Sequence, residues 1–155
     1  MYRRFGKIKK YPEVKINLGC GYLIEEDSIG IDIKDCGQDI VWDIKQGIPF
    51  PDNSVDIVCS SHFIEHLDDN ETHDLFMDIY RVLKVGGTTE HICPHSKDDS
   101  AYCMGHKTLW NERKIDSLVK YYPEFKNFEV ISAKTIERGI EGAIYELAFI
   151  LKKIK

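Results

Sequence analysis

The chain has 155 residues, 43% of them hydrophobic, and a formal net charge of -5. That length suits one domain, residues 1–155, which can bury a core without disulfide or metal staples. The acidic balance disfavours nucleic acid as a partner, five cysteines with no CxxC pair fit a reducing, cytoplasmic setting, and no apolar run of about 18 residues offers a membrane span. Basic residues gather at the ends, in "YRRFGKIKKY" and "LKKIK". Residues 1–12 read as a basic, solvated N-terminal arm, with steering of an acidic substrate as the sharper alternative.

In chain order, Val14 to Leu18 is a β-branched apolar run stopped by glycine and predicts strand one. Ile29 to Ile33, Ile40 to Trp42 and Val55 to Ser60 predict strands two to four. Runs apolar on both faces favour a parallel sheet. After "LDDNETHD", Leu75, Ile79, Val82 and Leu83 recur at helical spacing, with Gly86-Gly87 as the stop. Thr88 to Cys93 predicts strand five, Asn111 to Tyr122 a second helix, and Phe128 to Ile131 and Ile144 to Ile150 strands six and seven.

The connections in the first half are short. "KDCGQD" between strands two and three leaves no room for a helix, and "KQGIPFPDN" carries two prolines and a glycine. Between strands one and two, "GYLIEEDS" holds a turn or two of helix at most. The expectation is an α/β fold: a Rossmann-like, seven-stranded, mostly parallel sheet with reduced helices in its first half.

The stretch "KINLGCGYLIEEDSIGIDI" gives this sheet a ligand. Gly19 and Gly21 let backbone approach a bound group, and Asp32 at the end of strand two can accept both hydroxyls of a ribose. Asp32 follows Gly19 by only thirteen positions, where a dinucleotide fingerprint needs roughly 20. Ile24 also replaces the third glycine of GxGxxG. The pattern therefore disfavours a dinucleotide.

These residues resemble the class I S-adenosylmethionine-dependent methyltransferases. "INLGCG" is similar to their glycine motif, "IGIDI" to their ribose-binding strand, "IVWDIKQGIPFPDNSVDIVCSSHFIEHL" to their adenine loop and fourth strand, and "DIYRVLKVGG" to the helix and turn before strand five. The resemblance runs closely from Val14 to Pro94, and is nearest to small, short-spaced members with "LNLGCG", "SHxLEHL" and "EIYRVLKPGG". It implies an S-adenosylmethionine site in which Gly19, Cys20 and Gly21 wrap the methionine portion, with Asn17 beside them. Asp32 would take the ribose, Ile33 would flank the adenine, and Asp43 with Ile44 would meet its edge. Ser60, Ser61 and His62 would border the sulfonium and the acceptor pocket. The implied reaction is methyl transfer to an oxygen, nitrogen or carbon of a small acceptor, releasing S-adenosylhomocysteine.

Two features depart from that pattern. Val85 stands where a proline is usual, and strand five reads "TTEHIC", with Glu90 and His91 in a position normally apolar. Buried there, both would be costly, so one face of the strand is expected to be lined by solvent, ligand or a partner subunit. A homodimer is one such arrangement. A non-catalytic cofactor-fold module acting as a partner subunit is the alternative function.

His62, Glu65 and His66 also spell HxxEH, a zinc-hydrolase pattern; its place in the methyltransferase pattern argues against it, and no metal is expected. His62 reads either as a pocket residue or as a structural hydrogen-bonding group, and His66 as packing or capping. "HICPHSKDDSAYCMGH" collects His91, Cys93, His95, Cys103 and His106, and Ser96 to Lys107 is expected to form a lid over the acceptor. With that lid, His95 and His106 are placed to orient the acceptor or take its proton, and His62 and His106 are the candidate catalytic residues. Trp42 and Trp110 read as core or rim.

Overall fold

A computed structural model describes residues 13–139 and 144–155. The basic arm expected over residues 1–12 lies outside the described residues. In chain order the elements are β1 (Lys15–Leu18), β2 (Ile29–Asp32), β3 (Ile40–Val41), β4 (Val55–Ser61), α1 (Asp69–Val82), β5 (Leu83–Pro94), α2 (Glu112–Tyr121), β6 (Phe128–Arg138) and β7 (Ile144–Lys153). They form one seven-stranded sheet in the order β3-β2-β1-β4-β5-β7-β6. Strands β1 to β5 pair in parallel, and β7 runs antiparallel to both β5 and β6. Strand β1 pairs with β2 on one side and β4 on the other, so strand order reverses there. In open α/β sheets that reversal opens a crevice at the carboxyl ends of the strands.

The first half is as sparing of helix as its short connections dictate. Among the described residues, only the 3-10 turns Ile44–Gln46 and Ile64–His66 precede α1. The loop before β4 is held instead by α1: Arg81 Nη1 donates to Phe50 O at 2.8 Å and Nη2 to Ile48 O at 2.9 Å. Asp78 accepts from the Ile48 amide. A side chain thus does the holding that a helix would otherwise do.

Helix α1 starts on a capping box, Asp68 accepting from Glu71 N while Glu71 accepts from Asp68 N, both at 2.9 Å. Leu75, Phe76, Ile79 and Val82 form its buried stripe. It ends at Val82, earlier than the predicted stop at Gly86-Gly87. Those glycines lie inside β5, where pairing with β4 jumps from Val55↔Leu83 to Ile57↔Thr88. A Cβ on Gly87 would stand 2.8 Å from Asp56 O, so the glycine pair serves a tight bulge and not a helix cap. Strands six and seven run past their predicted ends, to Arg138 and Lys153. They form a long antiparallel pair with an open face, where polar residues such as Lys134 do not end a strand.

Both helices lie on one face of the sheet. Phe76 of α1 meets Trp110, Phe125 and Phe149 there, at ring centroid distances of 6.3, 6.4 and 6.3 Å. His91 corrects an expectation: it faces this covered side and is fully buried, with Ser60 Oγ 2.7 Å from Nδ1 and Thr89 Oγ1 2.6 Å from Nε2. Two hydroxyls that each donate or accept can satisfy a neutral imidazole, and burial lowers its pKa to about 3. Glu90 points the other way. It lines, with Cys59, Ser61 and Ile92, a groove of about 350 Å³ on the opposite face.

Candidate active site

At the crevice, β1 and β2 end in loops that fold toward each other. Gly19 has φ +61 and Gly21 φ +52, a region open to glycine at little cost. A Cβ on Gly19 would lie 2.2 Å from Phe63 Cδ2, so the loop after β4 packs directly on the glycine turn. Asp32 holds the turn from the other side. Its Oδ2 accepts from Gly21 N and its Oδ1 from Lys34 N, each at 2.9 Å. Each oxygen keeps acceptor capacity for a further donor.

Gly19, Asp32, Ile33, Asp43 and Ile44 line one cavity of about 160 Å³, together with Trp42, Lys45, Phe63 and Leu67. Five of the residues expected to bind cofactor are therefore brought together. Asp43 is fixed there by accepting from Lys45 N at 3.0 Å. Trp42 is rim, its Nε1 donating to Gly47 O at 2.7 Å, whereas Trp110 is core. A wider cleft of about 390 Å³ along α1 shares Ile44, Lys45 and Leu67 with this cavity.

The other expected cofactor residues stand apart from the cavity. Gly21 adjoins it through Asp32. Cys20 is buried behind the turn, its Sγ 3.0 Å from where a Gly30 Cβ would sit, and burial pushes its thiol up to about 11. Asn17 and Ser61 line the groove on the open sheet face. Ser60 borders the same groove, with its hydroxyl turned to His91.

His62 directly follows β4 and has φ +51, a strained conformation for a residue other than glycine. Its amide donates to Ile92 O at 2.8 Å, and its Nε2 lies 2.8 Å from Glu146 Oε1. Arg138 Nε sits 2.5 Å from the other Glu146 oxygen. The His62 ring remains half exposed beside the crevice. Its HxxEH partner is not its neighbour: His66 stacks edge-on with His106 at 4.7 Å, while Glu65 Oε1 lies 3.6 Å from His62 Nδ1. Glu65 is thus the group between the two candidate catalytic histidines. Glu146, 84 positions from His62, carried no local sequence signal.

The segment expected as a lid is pinned. Asp98 Oδ2 accepts from Tyr145 N at 2.6 Å, and Lys107 N donates to Glu65 O at 2.7 Å. His95 is buried, 3.1 Å from Glu112 Oε2, and so belongs to the α2 packing, apart from His106.

The profile of a family described as "Methyltransferase domain" matches residues 28–89. Nothing among curated proteins matches the chain in sequence. Among solved structures, the chain is similar to an S-adenosylmethionine-dependent methyltransferase from Archaeoglobus fulgidus, with a TM-score of 0.68 at 18% identity, covering 92% of this chain and 87% of that one. It is also similar to the Burkholderia thailandensis 1,6-didemethyltoxoflavin-N1-methyltransferase bound to 1,6-didemethyltoxoflavin and S-adenosylhomocysteine. There the TM-score is 0.70 at 11% identity, covering 93% and 72%. A third likeness is to a chain of the Haloferax volcanii complex with the Trm112 methyltransferase activator, with a TM-score of 0.67 at 15% identity, covering 92% and 83%.

Proposed function

We propose that the chain is a class I S-adenosylmethionine-dependent methyltransferase acting on a small-molecule acceptor, a reading supported by the match of residues 28–89 to a methyltransferase-domain profile and by the fold it shares with solved methyltransferases. The observation that carries the reading is Asp32, which shares one cavity with Gly19, Ile33, Asp43 and Ile44 at the strand-order reversal. Its carboxylate has acceptor capacity for a ribose, and Ile33 and Ile44 give an apolar flank for a flat base. The bound S-adenosylmethionine supplies a methyl group already activated on a sulfonium, so the protein's work is chiefly orientation. The acceptor's lone pair forms the new bond to the methyl carbon as the carbon–sulfur bond breaks, and sulfur keeps that electron pair as the thioether S-adenosylhomocysteine.

His62 is the group best placed to orient the acceptor and to take its proton, since Glu146 beside it can carry the imidazolium charge. His106 serves through the neighbouring cluster. Asn17, Cys20 and Ser61 then support the strand ends in place of touching the methionine portion or the sulfonium. We read residues 1–155 as one domain and its location as cytoplasmic. No helix of the described residues is long and apolar enough to cross a membrane.

A homodimer through the open face of β4, β5 and β7 accounts for the uncovered groove. Sedimentation of a monomer at micromolar concentration would remove it. The function itself is tested by S-adenosylhomocysteine release from S-adenosylmethionine across oxygen, nitrogen and carbon acceptors. Acceptor-dependent turnover, reduced in His62→Ala, supports methyl transfer. Cofactor binding with no turnover on any acceptor favours the non-catalytic partner-subunit reading.

A further inference from the structure

We infer that Glu65, His66 and His106 form a binding site for one divalent transition-metal cation at the edge of the crevice. One ligand atom from each lies within 4.8 Å of the others. Two of the three donors lack hydrogen bonds, and among the described residues the one ion-pair partner of Glu65 outside the cluster is His62, whose Nδ1 lies 3.6 Å from Glu65 Oε1. The Glu65 side chain is only 2% exposed, yet neither of its carboxylate oxygens has a hydrogen-bond partner among the described residues, and His106 Nδ1 is likewise buried and unpartnered. A buried carboxylate left so is costly, and its burial raises its pKa. A cation bound by it would remove that cost.

The third ligand is set up by its own hydrogen bond. His66 Nδ1 donates to Gly105 O at 3.1 Å, which leaves Nε2 as the lone-pair nitrogen; a backbone carbonyl fixing the tautomer is the usual support for a metal-bound histidine. The backbone is locked in the same sense. Lys107 N and Thr108 N both donate to Glu65 O, at 2.7 and 3.3 Å, so the turn Ile64–His66 and the loop carrying His106 are held together by bonds that need no cation.

One carboxylate and two imidazoles suit zinc, iron(II) or cobalt better than magnesium or calcium, which prefer oxygen donors. Three protein ligands leave positions open for water or another oxygen. The flanking residues Phe63 and Leu67 line the cavity that holds Asp32, so the cation would sit beside the crevice. The site stands on its own residues, whether or not the chain transfers methyl groups.

The test is titration of chelator-treated full-length protein with cobalt(II), read by visible absorption, and with zinc as competitor. Folded wild type should take up one equivalent, without the intense band that a cysteine thiolate ligand gives. Loss of a ligand should cost more than the 10–100-fold typical of a supporting residue, so Glu65→Gln and His106→Ala should each bind more than about a hundredfold more weakly. His73→Ala and Cys103→Ser, outside the cluster, should bind as wild type does. Circular dichroism checks each variant's fold, and His66→Ala, at an exposed position, carries the test if Glu65→Gln does not fold. No saturable uptake by folded wild type, a thiolate band, or uptake unchanged in the cluster variants overturns the inference.

Discussion

His91 and Glu65 are both ionisable and both about 1% exposed, but they lie in regions built on opposite terms. His91 sits under the two helices, where the register of β4 and β5 brings a hydroxyl to each ring nitrogen and Phe76 and Phe149 pack at 5.3 and 5.1 Å. Glu65 sits in the loop region at the strand ends, with histidines around it and no donor on its oxygens. Burial is the same in both places; the completeness of hydrogen bonding is not. A satisfied buried polar group reads as structure, while an unsatisfied one next to a crevice asks for a ligand.

The contrast can be broken most forcefully at His91. Truncation in His91→Ala opens a void among Phe76 and Phe149 and strands the hydroxyls of Ser60 and Thr89, so urea denaturation should show a loss of about 3 kcal/mol. A loss under 1 kcal/mol would mean that the helix-covered region is not tightly packed.

Acid separates the two groups by sign. His91 has its folded pKa lowered to about 3 from the ordinary 6.5, so its neutral form favours the fold above 6.5 and that advantage is lost as pH falls toward 3. By pH 5 the cost is about 2 kcal/mol, and His91→Phe should flatten it. Glu65 has its folded pKa raised above the ordinary 4.5, so its contribution is present below 4.5 and is lost as pH rises through its folded value. Glu65→Gln should therefore stabilise the cation-free protein at pH 7, by about 1 kcal/mol in urea titrations, and should leave stability at pH 4 little changed. Destabilisation at pH 7 would mean that Glu65 is already well paired.

The smallest effect concerns the loop region's backbone. His62 at φ +51 carries strain that glycine does not, so His62→Gly should be more stable than His62→Ala by about 1 kcal/mol, both having lost the contact with Glu146. Equal stability would show that the turn relaxes once the imidazole is gone.

What the sequence made legible follows the same division. Strand order, the scarcity of early helix, the glycine turn and Asp32 are encoded within short stretches, and five expected cofactor residues do line one cavity. The environment of His91 is not legible in the sequence, because its partners come from neighbouring positions of the sheet, Ser60 lying 31 residues away. Nor does HxxEH spacing show that Glu65 and His66 join His106 while His62 joins Glu146. Those pairings are set by tertiary register. Local motifs carried the cofactor side of the crevice, and long-range contacts determine the rest.

The central claim is that the crevice around Asp32 holds the adenosine of S-adenosylmethionine. Calorimetric titration of S-adenosylhomocysteine into wild type and Asp32→Ala tests it most directly. The account predicts saturable binding at one site and at least a tenfold loss in Asp32→Ala, the worth of one charge-assisted hydrogen bond. Absence of binding to folded wild type, or equal affinity in the variant, would contradict it.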